Sequence, residues 1–339
     1  MTYRPEPIVR VLRNAEVESI HYGSAAIVDT DGRLLYRVGD PYHLTFLRSS
    51  AKPFQALPVV ESGAAREFGL TAAEIALMSG SHSGREIHIE TVQSILNKVG
   101  LGPENLKCGV HPAIRDAASI PSHSPEEERT PLHHNCSGKH AGMLALAVFK
   151  NLSVDDYLSP SHPVQQLIKK TIAEICSYPE NDMVMGIDGC SAPNYALPLY
   201  NMALGFARLV APSSMPGARA SAVTAITMAM MDHPDMVAGE GRFDTALISS
   251  PGEKIISKAG AEGLECFSLV DRRIGGALKI IDGAKRALFP AAVELLYMLG
   301  ARKSDSVLDE FRRPVVKNWR GLEVGYIEPR FEISEVDHE

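Results

Sequence analysis

Asp29-Thr30-Asp31-Gly32 lies between two apolar, β-rich runs, residues 19–28 and 34–38. Asp-Gly between such runs is a strong local signal for a hairpin, because both residues tolerate the positive φ of tight turns. A third short apolar run, residues 8–12, precedes them, so the chain opens on antiparallel strands. This argues against a doubly wound parallel fold. Neither the G-x-G-x-x-G turn nor a P-loop sequence occurs.

Beyond residue 50 the periodicity becomes helical. Residues 51–61, 71–78, 86–99, 139–149, 163–176, 195–210 and 217–231 read as helices. Thr71-Ala72-Ala73-Glu74 is a capping box, and Ile87, Ile89, Val92, Ile95, Leu96 and Val99 fall on or near one side of their helix. Residues 100–132 are rich in Pro, Ser and His and read as long loops. After Pro251 strands return at 254–258, 264–270 and 276–281. Helical patterns follow at 290–299 and 304–311, then a last extended segment at 315–327. Strands at the two ends are most simply satisfied by pairing with each other. The expected fold is therefore α/β of the α+β type, with one antiparallel sheet built from both ends and a large helical region inserted. Residues 1–48 with 252–330 form the sheet part and 49–251 the helical part of a single catalytic unit spanning 1–339.

Composition narrows the function. The 339 residues are 45% hydrophobic and 22% charged, the balance of a soluble globular protein. The net charge is −7 and there is no dense Lys/Arg run, which argues against a nucleic-acid partner. Glu126, Glu127 and Glu128 read as a solvated loop. The N-terminus is polar, and the longest apolar runs, 141–149 and 222–231, are too short to cross a membrane. Five cysteines, an odd number in a long chain, read as reduced thiols and place the protein in the cytoplasm.

Ser49 and Lys52 stand three apart where an extended segment passes into a helix, so they share a face. A serine becomes a nucleophile when a base takes its proton, and a lysine is a base only when burial or another cation lowers its pKa. Arg48 and a second lysine are candidates for that cation. The plainer reading is a capping serine followed by a solvated lysine. Two later segments favour chemistry: Ser81-His82-Ser83 in a loop after the capped helix, and Lys258-Ala259-Gly260 at the end of a strand. The order S-x-x-K, serine triplet, K-x-G resembles that of penicillin-recognising enzymes, with departures in the second and third elements. On this reading Lys258 repels a proton from Lys52, Ser81 relays a proton or pairs with Lys258, and backbone N–H groups at the helix start stabilise an oxyanion.

Cys136-Ser137-Gly138-Lys139 and Asp188-Gly189-Cys190-Ser191 each place a Cys-Ser pair in a turn, with His133, His134 and His140 around the first. These thiols fit a zinc site, a pair of buried small hydrophobes or a low-pKa nucleophile equally well by spacing.

The segments around Ser49, Ser81, Asn135 to Met143, Gly186 to Ser191 and Lys258 to Gly263 occur in order, and over residues 8–328 the chain resembles the rhizobial-type (class 3) L-asparaginases of the asparaginase II family. That resemblance implies a serine β-lactamase and glutaminase-like fold and hydrolysis of L-asparagine to L-aspartate and ammonia through an acyl-enzyme. It implies two Ser–Lys tandems, Ser49 with Lys52 and Ser81 with Lys258. It also implies Zn2+ held by Cys136, Lys139 and Cys190, and a homodimer. Asp188 is implied to hold substrate or metal, and Arg48 and His82, each beside a serine, are substrate-binding candidates with it. A glutaminase or β-lactam-type acyl hydrolase is the competing activity, and a non-catalytic zinc or small-molecule binding protein the third reading.

Overall fold

In the computed structural model, residues 3–112, 129–302 and 306–336 are described. The strands are β1 (Glu6–Arg13), β2 (Glu16–Asp29), β3 (Leu34–Val38), β4 (Leu44–Phe46), β5 (Val184–Ile187), β6 (Pro193–Pro198), β7 (Ile255–Gly260), β8 (Leu264–Leu269), β9 (Ile274–Ile280), β10 (Val315–Lys317), β11 (Glu323–Pro329) and β12 (Ser334–Glu335). The helices are α1 (Lys52–Glu61), α2 (Ala64–Glu67), α3 (Ala72–Ser79), α4 (Glu86–Lys98), α5 (Ser137–Phe149), α6 (Pro163–Cys176), α7 (Leu199–Leu209), α8 (Gly217–Asp232), α9 (Pro234–Val237), α10 (Phe243–Ser249), α11 (Lys285–Met298) and α12 (Ser306–Arg312). Glu126, Glu127, Glu128 and Ser304 lie outside the described residues.

The large sheet runs β10-β11-β1-β2-β9-β8-β7, with β3 on β2 and β12 on β3. Every described pairing is antiparallel, and N-terminal strands meet C-terminal ones at β1–β11 and β2–β9. This is the mixed α/β class with an antiparallel sheet from both ends that the strand pattern predicts. The hairpin between β2 and β3 closes as expected: Asp29 Oδ1 accepts the N–H groups of Asp31 and Arg33, and Gly32 has φ +87°. Thr71 and Glu74 cap α3 reciprocally.

Alternation sends successive strand residues to opposite faces. In β7 and β8, Ile256, Leu264 and Cys266 join the core shared with the inserted helices. Ile255, Phe267 and Leu269 join a second core with α10, α11 and α12. Helix α7 packs on β9, β2 and β8, and α11 packs against β11, β9 and β1. Phe243 stacks on Phe289, ring centroids 4.3 Å apart, which pins α10 to α11.

Several elements depart from the sequence reading: the extended segment 315–327 is split into β10 and β11, and β5, α9 and α10 fall in stretches the pattern leaves unassigned. Residues 195–198 are the end of strand β6, not the start of a helix. Pro193 and Pro198 bracket the segment, Pro198 sits just ahead of α7, and a residue before proline avoids helical backbone. That strand centres a second, three-stranded sheet, β4-β6-β5. Helix α11 begins at Lys285 and runs through Pro290. Among the described residues, no helix is long and apolar enough to cross a membrane.

Candidate active site

The site begins where the small sheet ends. Leu47 N–H donates to Tyr195 O at 2.9 Å, continuing the β4–β6 ladder, and Arg48 N–H donates to Asn194 Oδ1 at 3.0 Å. Arg48 then turns with φ +49°, a left-handed conformation that a non-glycine residue adopts at a cost. A 3-10 turn, Arg48–Ala51, leads into α1. Ser50 Oγ donates to Lys258 O at 2.8 Å and fastens this turn to β7. Ser49 and Ser81 line one cleft of about 280 Å³, together with Asn135, Arg242, Gly260 and Phe289. A larger hollow of about 770 Å³, bordered by Glu61, Lys170, Glu174, Arg208 and Arg219, contains none of the expected catalytic groups. Chemistry, not size, selects the smaller one.

Helix α1 packs against α3, α5, α6 and α8, and every residue from Lys52 to Val59 is buried. Lys52 is thereby carried into the interior at 0% exposure. Its Nζ meets Gly80 O at 2.7 Å, Ser81 Oγ at 2.9 Å and Asn135 O at 3.0 Å. Carbonyls only accept, so two N–H bonds are assigned. The third direction faces a hydroxyl, which can accept from an ammonium or donate to a neutral amine. Burial foremost pulls Lys52 down to about 8; the neighbouring Cys136 opposes this, and Lys258 and Lys139 reinforce it. The loop bearing Gly80 and Ser81 lies hard against α9. A Cβ on Gly80 would sit 2.4 Å from Met236 O, and Ser81 N–H donates to Val237 O at 2.6 Å.

Lys258, also 0% exposed, is placed differently from its expected pairing. The lysine that meets the Ser81 hydroxyl is Lys52. Lys258 Nζ meets Asp244 Oδ2 at 3.4 Å and Ala259 O at 2.7 Å. The turn also commits backbone donors expected at an oxyanion: Ser50 N–H goes to Leu47 O and Lys52 N–H to Ser49 O.

Among the described residues, the cleft lining does not include Arg48, His82 or Asp188. Arg48 Nε pairs with Asp188 Oδ1 at 2.7 Å. Burial works to raise the Asp188 carboxyl, but Lys139, Arg48 and the Gly189 N–H together hold it below its ordinary value. His82 bonds to the surrounding loops through both ring nitrogens. It is buried at 0% exposure, its Nδ1 accepts from Gly84 N–H, and its Nε2 is 2.9 Å from Ser137 Oγ. Ser137 in turn donates to Leu132 O at 2.9 Å, so His82 Nε2 is the donor and both ring nitrogens brace the loops. Burial, foremost, holds this imidazole neutral.

Cys136 stands just ahead of α5, Lys139 is in its first turn, and Cys190 comes from the turn between β5 and β6. Lys139 Nζ donates to Cys190 Sγ at 2.9 Å. A hydrogen bond from the Cys136 thiol foremost, with Lys139, brings Cys190 down to about 4 against the effect of burial. Burial works to lower Lys139, and the neighbouring sulfurs outweigh it and push its pKa up. Two sulfurs and an amine thus converge in a buried place, a donor set that suits zinc. Among the described residues no three His, Cys, Asp or Glu side chains come together for a metal. A metal held by Cys136 and Cys190 with Lys139, as the resemblance implies, would require that lysine to shed its proton.

Three residues that the sequence reading passed over belong to this region. Arg242 Nη1 donates to Ser81 O at 2.6 Å, Asp244 holds Lys258, and Glu265 lies behind them. Glu265 had a signal: it is the one carboxylate in an otherwise inward-looking strand, Leu264–Leu269.

Two serines line a small cleft with Lys52 buried against one of them, and the family its sequence matches places the chain among the hydrolases that act on amides. The sequence narrows this further: residues 9–329 match the L-asparaginase II family, and the chain belongs to it. No curated protein matches the chain. Similar solved structures include a β-lactamase from Mycobacterium bovis, 13% identical, TM-score 0.42, covering 83% of this chain and 95% of that one. A putative β-lactamase from Bacteroides dorei is 10% identical, TM-score 0.40, covering 87% and 94%. The protein Mglu in its glutamate form is 14% identical, TM-score 0.47; the match covers 84% of this chain and 63% of Mglu.

Proposed function

We propose that the protein is an L-asparaginase that hydrolyses L-asparagine to L-aspartate and ammonia through an acyl-enzyme on Ser49. The observation that carries this is Lys52: wholly buried, lowered to about 8, and bonded to Ser81 at the cleft that Ser49 shares, in a chain of the L-asparaginase II family. Neutral Lys52 takes the proton of Ser49 as its Oγ attacks the side-chain amide carbon. Collapse of the tetrahedral intermediate breaks the C–N bond, and Ser81 passes the proton from Lys52 to the departing ammonia. Water, deprotonated by the same lysine, then releases aspartate from Ser49. The nearby Lys258 disfavours protonation of Lys52.

Cys136, Lys139 and Cys190 are the residues that would hold zinc, and the ion would supply a Lewis-acidic charge for polarising or positioning the substrate. Arg48 and Asp188, paired between the serine turn and the cysteine loop, orient the substrate or the loop. The sheet part (1–48 with 252–330) and the helical part (49–251) work as one catalytic unit with the cleft at their junction. The protein is proposed to be cytoplasmic and homodimeric.

A cleft of about 280 Å³ favours an amino-acid amide over a bicyclic β-lactam. Ammonia release with asparagine and with glutamine, alongside turnover of a chromogenic cephalosporin, separates these activities. Ser49→Ala should abolish ammonia release with the circular dichroism spectrum retained; full activity in that variant would remove Ser49 as nucleophile. The zinc site is lost if metal content is unchanged in the Cys136→Ser/Cys190→Ser double variant.

A further inference from the structure

β7 is the last strand of the large sheet, so one side of it presents backbone groups without a strand partner. Asp244, in the first turn of α10, covers that side. Ala259 N–H donates to its carboxylate, 3.0 Å from Oδ1 and 3.2 Å from Oδ2. Alternation along β7 puts Lys258 on the face toward the inserted helices and Ser257 on the face toward α10 and α11. Asp244 reaches both: Oδ2 is 3.4 Å from Lys258 Nζ, and Oδ1 is 2.8 Å from Ser257 Oγ. On its far side Ser257 Oγ is 2.9 Å from Glu265 Oε1. Asp244 is 2% exposed; Ser257, Lys258 and Glu265 are at 0%.

A hydroxyl carries one proton, so between two carboxyl oxygens it can donate to only one. The other contact is a hydrogen bond only if that carboxyl brings a proton of its own. Asp244 already receives Ala259 N–H and the Lys258 ammonium, which fits the charged form. Glu265 pairs across the sheet with Ala259 and Leu278, and its Oε2 is buried with no hydrogen-bond partner among the described residues. The charged or titratable groups that bear on it are Asp244 from α10 and Lys258 from β7. Two carboxylates against one ammonium would leave a net negative charge in a dry interior, whereas one carboxylate balances it.

We propose that Glu265 is a neutral carboxylic acid in the folded protein, donating through Ser257 to the Asp244 carboxylate, and that this chain sets a single counter-charge behind Lys258. Burial foremost, with the charge of Asp244, raises the Glu265 carboxyl well above its ordinary value, against Ser257 and Lys258. The consequence for catalysis rests on the function proposed above: Asp244 is a positioning residue that pairs with Lys258 and aims it, so that Lys52 is the lysine that gives up its proton.

The test reads proton placement and activity separately. Infrared difference spectra of the full chain near neutral pH should contain the carbonyl stretch of a protonated carboxylic acid. That band should vanish in Glu265→Gln and shift in Ser257→Ala. Glu265→Gln, which keeps a neutral donor, should stay within about threefold of the parent kcat, whereas Asp244→Asn should lose on the order of 100-fold with KM little changed and a displaced pH profile. No such band in the parent protein, or a band that survives Glu265→Gln, overturns the proposal. A Glu265→Gln variant as impaired as Asp244→Asn overturns it too. If the parent releases no ammonia from asparagine while the band is present, the proposed function fails and the proton chain stands.

Discussion

Lys52 and Lys139 are both removed from water, yet they are driven in opposite directions. Lys52, at the start of α1, has two carbonyls and a hydroxyl around its amine and falls to about 8. Lys139, at the start of α5, touches Cys190, whose thiol is down at about 4, and is raised. Burial alone would make both lysines neutral. What separates them is a thiolate within hydrogen-bond reach of one, and two carbonyls and a hydroxyl within hydrogen-bond reach of the other. A base and a charge anchor can thus be built from the same side chain at the same depth.

The comparison is broken most severely by Lys52→Met. If Lys52 is the base, ammonia release should fall by about 100-fold to 10,000-fold with the fold kept, as checked by steady-state kinetics and circular dichroism. Activity of the parent should climb with pH and level off above about 8, because the neutral amine is the working form. A rate that declines through that range would contradict the assignment.

The same group sets a stability trend. Its folded pKa of about 8 lies below its ordinary 10.5, so between those values the unfolded chain binds more protons and stability rises with pH. The cost of protonating Lys52 is in full force below about pH 8 and disappears toward 10.5. The difference between parent and Lys52→Met in denaturant titrations should change by roughly 3 kcal/mol across that window.

On the other side, Cys190→Ser removes the thiolate and leaves Lys139 as a buried cation without its partner. A loss of about 3 kcal/mol in chemical denaturation is expected. The smallest effect is remote from both lysines: Thr71→Ala removes the α3 cap and should cost about 1 kcal/mol with kinetics unchanged.

Much of this architecture is written in local pattern. The Asp29–Gly32 turn, the Thr71 capping box and the alternation in β8 are short-range features, so the sheet from both ends could be read directly. The three-stranded sheet could not: the extended segment before Ser49 is legible, but residues 195–198, its partner, merge by hydropathy with the helix that follows. The site divides the same way. Ser49 and Lys52 are neighbours in sequence and were visible as a pair. That Lys52 bonds Ser81, and that Asp244 takes Lys258, depends on how loops cross in space, and no spacing encodes it. The meeting of Cys136, Lys139 and Cys190 was expected only from family likeness. His82, a substrate-binding candidate by its place beside Ser81, has both ring nitrogens bonded to neighbouring loops, which sequence alone does not show.

The short β4-β6-β5 sheet has a dynamic consequence. It holds the serine turn through Leu47 and Arg48 and the cysteine loop through Ile187 and Pro193 in one hydrogen-bonded ladder. Two chemically distinct places therefore share one opening unit. Amide hydrogens at Leu47 and Arg48 should exchange in step with those of β5 and β6, and any solvent excursion that loosens the sulfur cluster should reach Ser49 in the same event.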